Sequence, residues 1–224
     1  MLNDVAERGT VRDVLVIAVV NLKGGTSKTT SAAFLVHALH ETGWSAWAVD
    51  ADPQGSLLHW SGVADWPMPC LGMPERTLHT RLDGVIGGRA DAVVIDTPPL
   101  EEQAGIVYSV LRRATHVLTP VAPTPIEYER LSPIRTALTE VAPLRADDRP
   151  PAHAVLLTRT VAGASSTEVY REQITDDGDH VLASSVGRLE RFALAYGDPI
   201  AHAVNTAYGD AAVELLELDT QEAQ

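Results

Sequence analysis

Val14 to Val20 is an unbroken apolar, largely β-branched run that stops abruptly at Asn21. Such a run reads as a strand buried on both faces of a parallel sheet. Residues 29–42 then place Phe34, Leu35, Ala38 and Leu39 at helical spacing, and Gly43 ends the pattern. The alternation continues along the chain. Strands are predicted at 44–49, 92–95, 114–121, 153–158 and 181–183. Helices are predicted at 101–113, 126–141, 165–175, 189–195 and 210–218. Pro133 must fall in the first turns of its helix or kink it. Asp52-Pro53 has the form of a helix start. Residues 61–90, broken by Pro67, Pro69 and Pro74 and by several glycines, read as irregular, with Trp60 and Trp66 as anchors and one short helix at 77–82. Residues 142–151 read as an exposed loop. Strands alternating with helices predict an α/β fold, a mostly parallel twisted sheet with helices on both faces. One domain is expected over 14–218, with a short arm at 1–13 and an acidic tail at 219–224.

The end of the first strand carries the chemistry. Gly24 and Gly25 lack a Cβ, so the backbone there can adopt positive φ and bring its N–H groups close to an anion. Lys28 follows where loop becomes helix, and Thr29 and Thr30 open that helix. A polyphosphate would meet backbone donors, a helix N-terminus and a point charge together, and Thr29 offers a hydroxyl to magnesium. Composition sharpens this reading. The chain has fifteen arginines and only two lysines, Lys23 and Lys28, and both lie in this loop.

Two further strands end in carboxylates. Asp50 and Asp52 stand at i and i+2 after the second strand, on the side where open parallel sheets bind ligands. Asp96 follows the run 92–95 in a Walker B arrangement, in which the carboxylate holds a metal through its water shell. His37 and His40 lie three apart on a helix with no carboxylate at ligand spacing, and receive no function.

The 224 residues allow one large domain, with 45% hydrophobic and 21% charged side chains. The net charge of −13 opposes DNA and anionic membranes unless a local basic patch intervenes. The C-terminal third is most acidic, with four basic and twelve acidic residues over 151–224. Cys70 is the only cysteine, which excludes a disulfide framework, a Cys-rich zinc site and an intrasubunit iron–sulfur cluster. The polar N-terminus lacks a signal-peptide core, and no apolar run is long enough to span a bilayer. A cytoplasmic location is expected.

Taken together, the stretches 21–30 (NLKGGTSKTT), 49–56 (VDADPQGS), 94–99 (VIDTPP) and 120–123 (PVAP) resemble ParA-type partition ATPases, within the deviant Walker A group that includes MinD. Residues 188–200 (RLERFALAYGDPI) are similar to the arginine-bearing helix of small ParA proteins. The resemblance implies a single-domain P-loop NTPase fold and a homodimer that closes on ATP and Mg2+. It implies phosphate contacts from Lys23, Gly24, Gly25, Thr26, Ser27, Lys28, Thr29 and Thr30. Lys23 would act in trans on the partner's phosphates, Lys28 would hold the β and γ phosphates, and Asp52 would orient the attacking water. Thr29 and Asp96 would organise magnesium, and Asp50 its water shell. Ser27 departs from the family's glycine and places a Cβ near the phosphates.

The implied role is slow, partner-stimulated hydrolysis driving plasmid or chromosome partition. The partners would be a centromere-binding, ParB-like adaptor and non-specific DNA, with the ATP form on the nucleoid. Arg159, Arg171, Arg188 and Arg191 are the candidate DNA contacts. The alternatives are a cargo-positioning or spatial-regulator ATPase that acts through protein partners, and a small-molecule ligase of the same fold. An acidic C-terminal helix argues against a membrane partner.

Overall fold

The computed structural model describes residues 14–221; the arm expected at 1–13 and the last residues of the acidic tail lie outside the described residues. Seven strands form one sheet in the order β3-β2-β4-β1-β5-β6-β7. They are β1 (Leu15–Val19), β2 (Ala46–Asp50), β3 (Cys70–Gly72), β4 (Ala92–Asp96), β5 (His116–Val121), β6 (Ala152–Thr160) and β7 (His180–Gly187). All neighbouring pairs are parallel. The helices are α1 (Lys28–Glu41), α2 (Ser56–Val63), α3 (Leu78–Ile86), α4 (Leu100–Arg113), α5 (Pro125–Glu129), α6 (Leu131–Val141), α7 (Ser166–Asp176), α8 (Glu190–Ala193) and α9 (Ala207–Gln221).

The two-residue period of β1 sorts its side chains into two cores. Ile17 and Val19 join Leu35 and Leu39 of α1, Trp60 of α2 and Leu215 of α9 on one face. Val16 and Ala18 join Leu82 of α3, Val107 of α4 and Ile134 of α6 on the other. Leu35, Leu39, Leu82 and Leu215 are fully buried, each contributing roughly 1.5–3 kcal/mol through burial of apolar area. A sheet covered on both faces explains the continuous apolar run in β1.

Several boundaries differ from the sequence reading. The region 61–90 contains β3, which pairs with β2 at Ala48↔Cys70, Val49↔Leu71 and Asp50↔Gly72. Asp52 does not cap a helix. Its Oδ1 accepts the Gln54 N–H at 2.9 Å and its carbonyl accepts the Gly55 N–H at 2.9 Å, so a turn intervenes and α2 starts at Ser56 after left-handed Gly55 (φ 67°). The helix expected over 126–141 is divided at Arg130 into α5 and α6, and Pro133 falls in the first turn of α6.

Candidate nucleotide site

Parallel strands end together, and this brings the site residues side by side. In the register of the sheet Val19 faces Asp96, and Asp96 faces Asp50. The loop 20–27 leaves β1 at that level. It is clamped from beside: the N–H groups of Leu100 and Glu101 donate to the carbonyls of Asn21 and Leu22 at 3.1 and 3.2 Å. Buried Asn21 donates through Nδ2 to the Pro120 carbonyl at 2.8 Å, fastening the loop to β5.

Gly25 takes φ 71° and Ser27 φ 69°. Glycine bears that conformation freely; serine does not. Ser27 precedes α1 and makes no side-chain cap, so the first-turn amides of α1 are left for a ligand in the cleft they line. Lys28 is buried, and its Nζ donates to the Lys23 carbonyl at 2.9 Å. Burial lowers its pKa, opposed by the negative charges of Asp96, Asp52, Glu102 and Glu127. Lys23 points elsewhere. Its half-exposed ammonium pairs with Glu101.

Asp96 is the most perturbed group here. Thr29 Oγ1 donates to its Oδ2 at 2.7 Å, whereas its buried Oδ1 has no hydrogen-bond partner. Burial pushes its pKa up to about 7, with the Thr29 hydrogen bond acting the other way. A hydroxyl and a buried carboxylate with a spare oxygen form a hard donor pair of the kind magnesium takes, so the residues fit that ion. Asp50 is also buried, but both its oxygens accept backbone N–H groups, Oδ1 from Asp52 at 3.0 Å and Oδ2 from Leu58 at 2.9 Å. It braces the turn that presents Asp52 to the cleft. Burial raises its pKa against those two hydrogen bonds.

The cleft has a volume of about 440 Å³ and is lined by Gly24–Thr30 and Asp52 together with Val186, Leu189, Phe192 and Tyr208. Aromatic packing backs its wall beside α1. Phe192 and Tyr208 each lie within 5.3 Å of Phe34 or of one another by ring centroid, and Ser31 Oγ donates to the Tyr208 hydroxyl at 3.4 Å. Sequence reasoning missed Val186, Phe192 and Tyr208. The available signal was position: Val186 lies one residue before the end of a parallel strand, and ligands gather at such ends.

The four arginines expected to form a DNA surface fall in different places. Arg159 and Arg188 line the nucleotide cleft. Arg171 reaches the carbonyls of Leu182 and Ala183 at the edge of the sheet. Arg191 lies over the Phe192 ring, 4.6 Å from its centroid. His37 is buried, with Nδ1 2.8 Å from the Ala33 carbonyl and its ring edge-on to Trp66, a packing role. Among the described residues no helix is long and apolar enough to cross a membrane.

A glycine-rich loop between β1 and α1, a buried cation at the head of α1 and an aspartate closing β4 define a P-loop nucleotide-binding domain. The chain belongs to the CobQ/CobB/MinD/ParA nucleotide binding domain family, whose model matches residues 17–200. It is 31% identical over 180 residues to Maintenance of carboxysome distribution protein A of Halothiobacillus neapolitanus, covering 77% of this chain and 79% of the relative. Among solved structures it is similar to apo McdA of Cyanothece (TM-score 0.73, 16% identity, 91% of this chain and 100% of that one). It is equally similar to cobyrinic acid a,c-diamide synthase of Mycobacterium smegmatis with bound ADP and magnesium (TM-score 0.72, 21% identity, 92% and 95%). At those identities the structural likenesses establish the fold.

Proposed function

We propose that this chain is an ATP- and magnesium-dependent switch ATPase that positions a cargo in the cell through a protein partner. The observation that carries the reading is the 31% identity, over most of both chains, to a protein named for maintaining carboxysome distribution. It favours the cargo-positioning alternative over plasmid or chromosome partition.

The site supports the chemistry. Lys28 and the amides at the head of α1 would hold the β and γ phosphates. Thr29 and Asp96 would hold magnesium, which supplies charge neutralisation on the transferred phosphoryl group. Asp52, at the mouth of the same cleft, would orient the attacking water, and Asp50 would keep the Asp52 turn in place. Lys23, paired with an exposed glutamate, is free to exchange that weak ion pair for a phosphate in a second copy of the chain. ATP would thus act as the switch between monomer and homodimer.

Non-specific DNA binding has less support. Arg159 and Arg171 donate to backbone carbonyls within the fold, and the chain carries a net charge of −13. A small-molecule ligase activity rests on likeness of fold alone.

Light scattering of the purified protein with Mg-ATP, Mg-ADP and no nucleotide tests the switch. A dimer only with Mg-ATP, made persistent by Asp52→Ala, is expected; a monomer in all three conditions would sink the proposal. Binding to a random-sequence duplex at low salt decides between routes. ATP-dependent, salt-sensitive binding would return the cargo to DNA, and its absence would leave the protein partner.

A further inference from the structure

Arg159 stands where β6 is irregular. The register of β6 against β7 shifts between Thr158 and Thr160, and Arg159 itself has φ 55°. A bulge re-aims a side chain, and bulges are common beside active sites. A left-handed arginine is strained, so surrounding contacts must hold it.

Those contacts lead to the phosphate loop. Arg159 Nη1 donates to the Gly25 carbonyl at 3.2 Å, and Nη2 lies 3.5 Å from Glu127 Oε1. Glu127, on α5, is only 7% exposed, and the same Oε1 accepts from Arg130 Nη1 at 2.7 Å. One guanidinium therefore joins the ends of β5 and β6 to the loop after β1. The Gly25 carbonyl shares a rigid peptide plane with the Thr26 N–H, so fixing one fixes the direction of the other. Thr26 lines the cleft.

We propose that Arg159 is a positioning residue for nucleotide, a bulge-mounted latch that holds the Gly25–Thr26 peptide in its phosphate-receiving orientation, with Glu127 anchoring the guanidinium. The proposal rests on the nucleotide reading of the cleft. It assigns to the loop an arginine that sequence alone suggested for DNA.

Binding of fluorescent mant-ATP and thermal melting, measured on full-length variants, test it. Arg159→Gly relieves the left-handed backbone and removes the latch. It should stay folded with a melting temperature near that of wild type, the relief of strain offset by the lost contacts, yet bind nucleotide about tenfold more weakly, the scale of one charged hydrogen bond. Arg159→Lys, which keeps a cationic donor, should recover affinity to within about threefold of wild type. Glu127→Gln should weaken binding in the wild type and add little in Arg159→Gly, since Glu127 acts through Arg159. Wild-type affinity in Arg159→Gly would overturn the latch, as would a lysine variant as weak as the glycine variant. Lys28→Ala keeps the two questions apart: lost binding there beside full binding in Arg159→Gly refutes only the latch, and wild-type binding in Lys28→Ala refutes the nucleotide site.

Discussion

Replacing Asp96 by asparagine should make the nucleotide-free protein more stable while removing its response to Mg-ATP. The carboxyl is buried, one oxygen has no partner, and its pKa stands at about 7 against an ordinary 3.8. A raised folded-state pKa means that the folded chain holds the proton more tightly than the unfolded chain. The contribution of Asp96 to stability is fully present below about pH 4 and is lost as pH rises through about 7. At 1.36 kcal/mol per pKa unit, the gap is worth roughly 4 kcal/mol by pH 8. Asparagine escapes that penalty and can still accept from Thr29, but its buried N–H groups lack assured partners, at a cost of about 1–3 kcal/mol. The net gain is about 2 kcal/mol. Urea unfolding at pH 8 in EDTA should therefore show a midpoint raised by about 0.7 M, at a slope near 3 kcal/mol/M. The wild type should lose stability between about pH 4 and 7 more steeply than the variant. With Mg-ATP the order should reverse, because only the wild type gains stability from ligand binding. Equal midpoints at pH 8, or parallel pH profiles, would refute the account of Asp96 as a buried carboxylate awaiting a cation.

Three further outcomes are expected. Lys23→Ala should bind mant-ATP within about threefold of wild type, since losing an exposed ion pair costs less than about 1 kcal/mol. It should nonetheless fail to dimerise by light scattering with Mg-ATP. Ser27→Gly removes a left-handed non-glycine residue and should raise the melting temperature by roughly 1–2 °C, the entropy of glycine offsetting part of the relief. Phosphate release should also quicken, as the Cβ near the phosphates is gone; a fall in both would contradict the assignment. A Cβ at Gly209 would lie 2.1 Å from the Val204 carbonyl oxygen. Gly209→Ala should displace α9 from the core, costing about 3 kcal/mol and roughly 9 °C in calorimetry.

The central strands were legible because burial on both faces removes any conflict between period and composition. β1 and β4 appear as apolar runs that end in loop chemistry, and their register sets Asp96 beside the loop that leaves β1. The edges were not legible. β3 spans Cys70–Gly72, three residues between prolines, and exists because β2 supplies a partner rather than because its sequence favours a strand. β7 runs past the predicted 181–183, where its half-exposed, polar Ser184-Ser185 stretch carries no apolar signal of a strand. The aromatic wall of the cleft was hidden for a related reason. Phe34, Phe192 and Tyr208 come from three distant segments, and nothing local marks them as neighbours. A count of basic residues cannot show that an irregularity in β6 sets Arg159 beside the phosphate loop.

The two lysines give the protein an unusual relation to amine chemistry. Reagents and enzymes that modify lysine ε-amines commonly meet dozens of equivalent targets on a protein surface. Here they find two. Lys28 is 6% exposed and bonded to its own loop, whereas the Lys23 side chain is 41% exposed. Acylation or surface coupling through lysine would thus fall first on the residue assigned to reach the partner's nucleotide. A general labelling reaction becomes a site-directed one, and any cellular lysine acylation would strike the residue proposed for dimer closure rather than the surface at large.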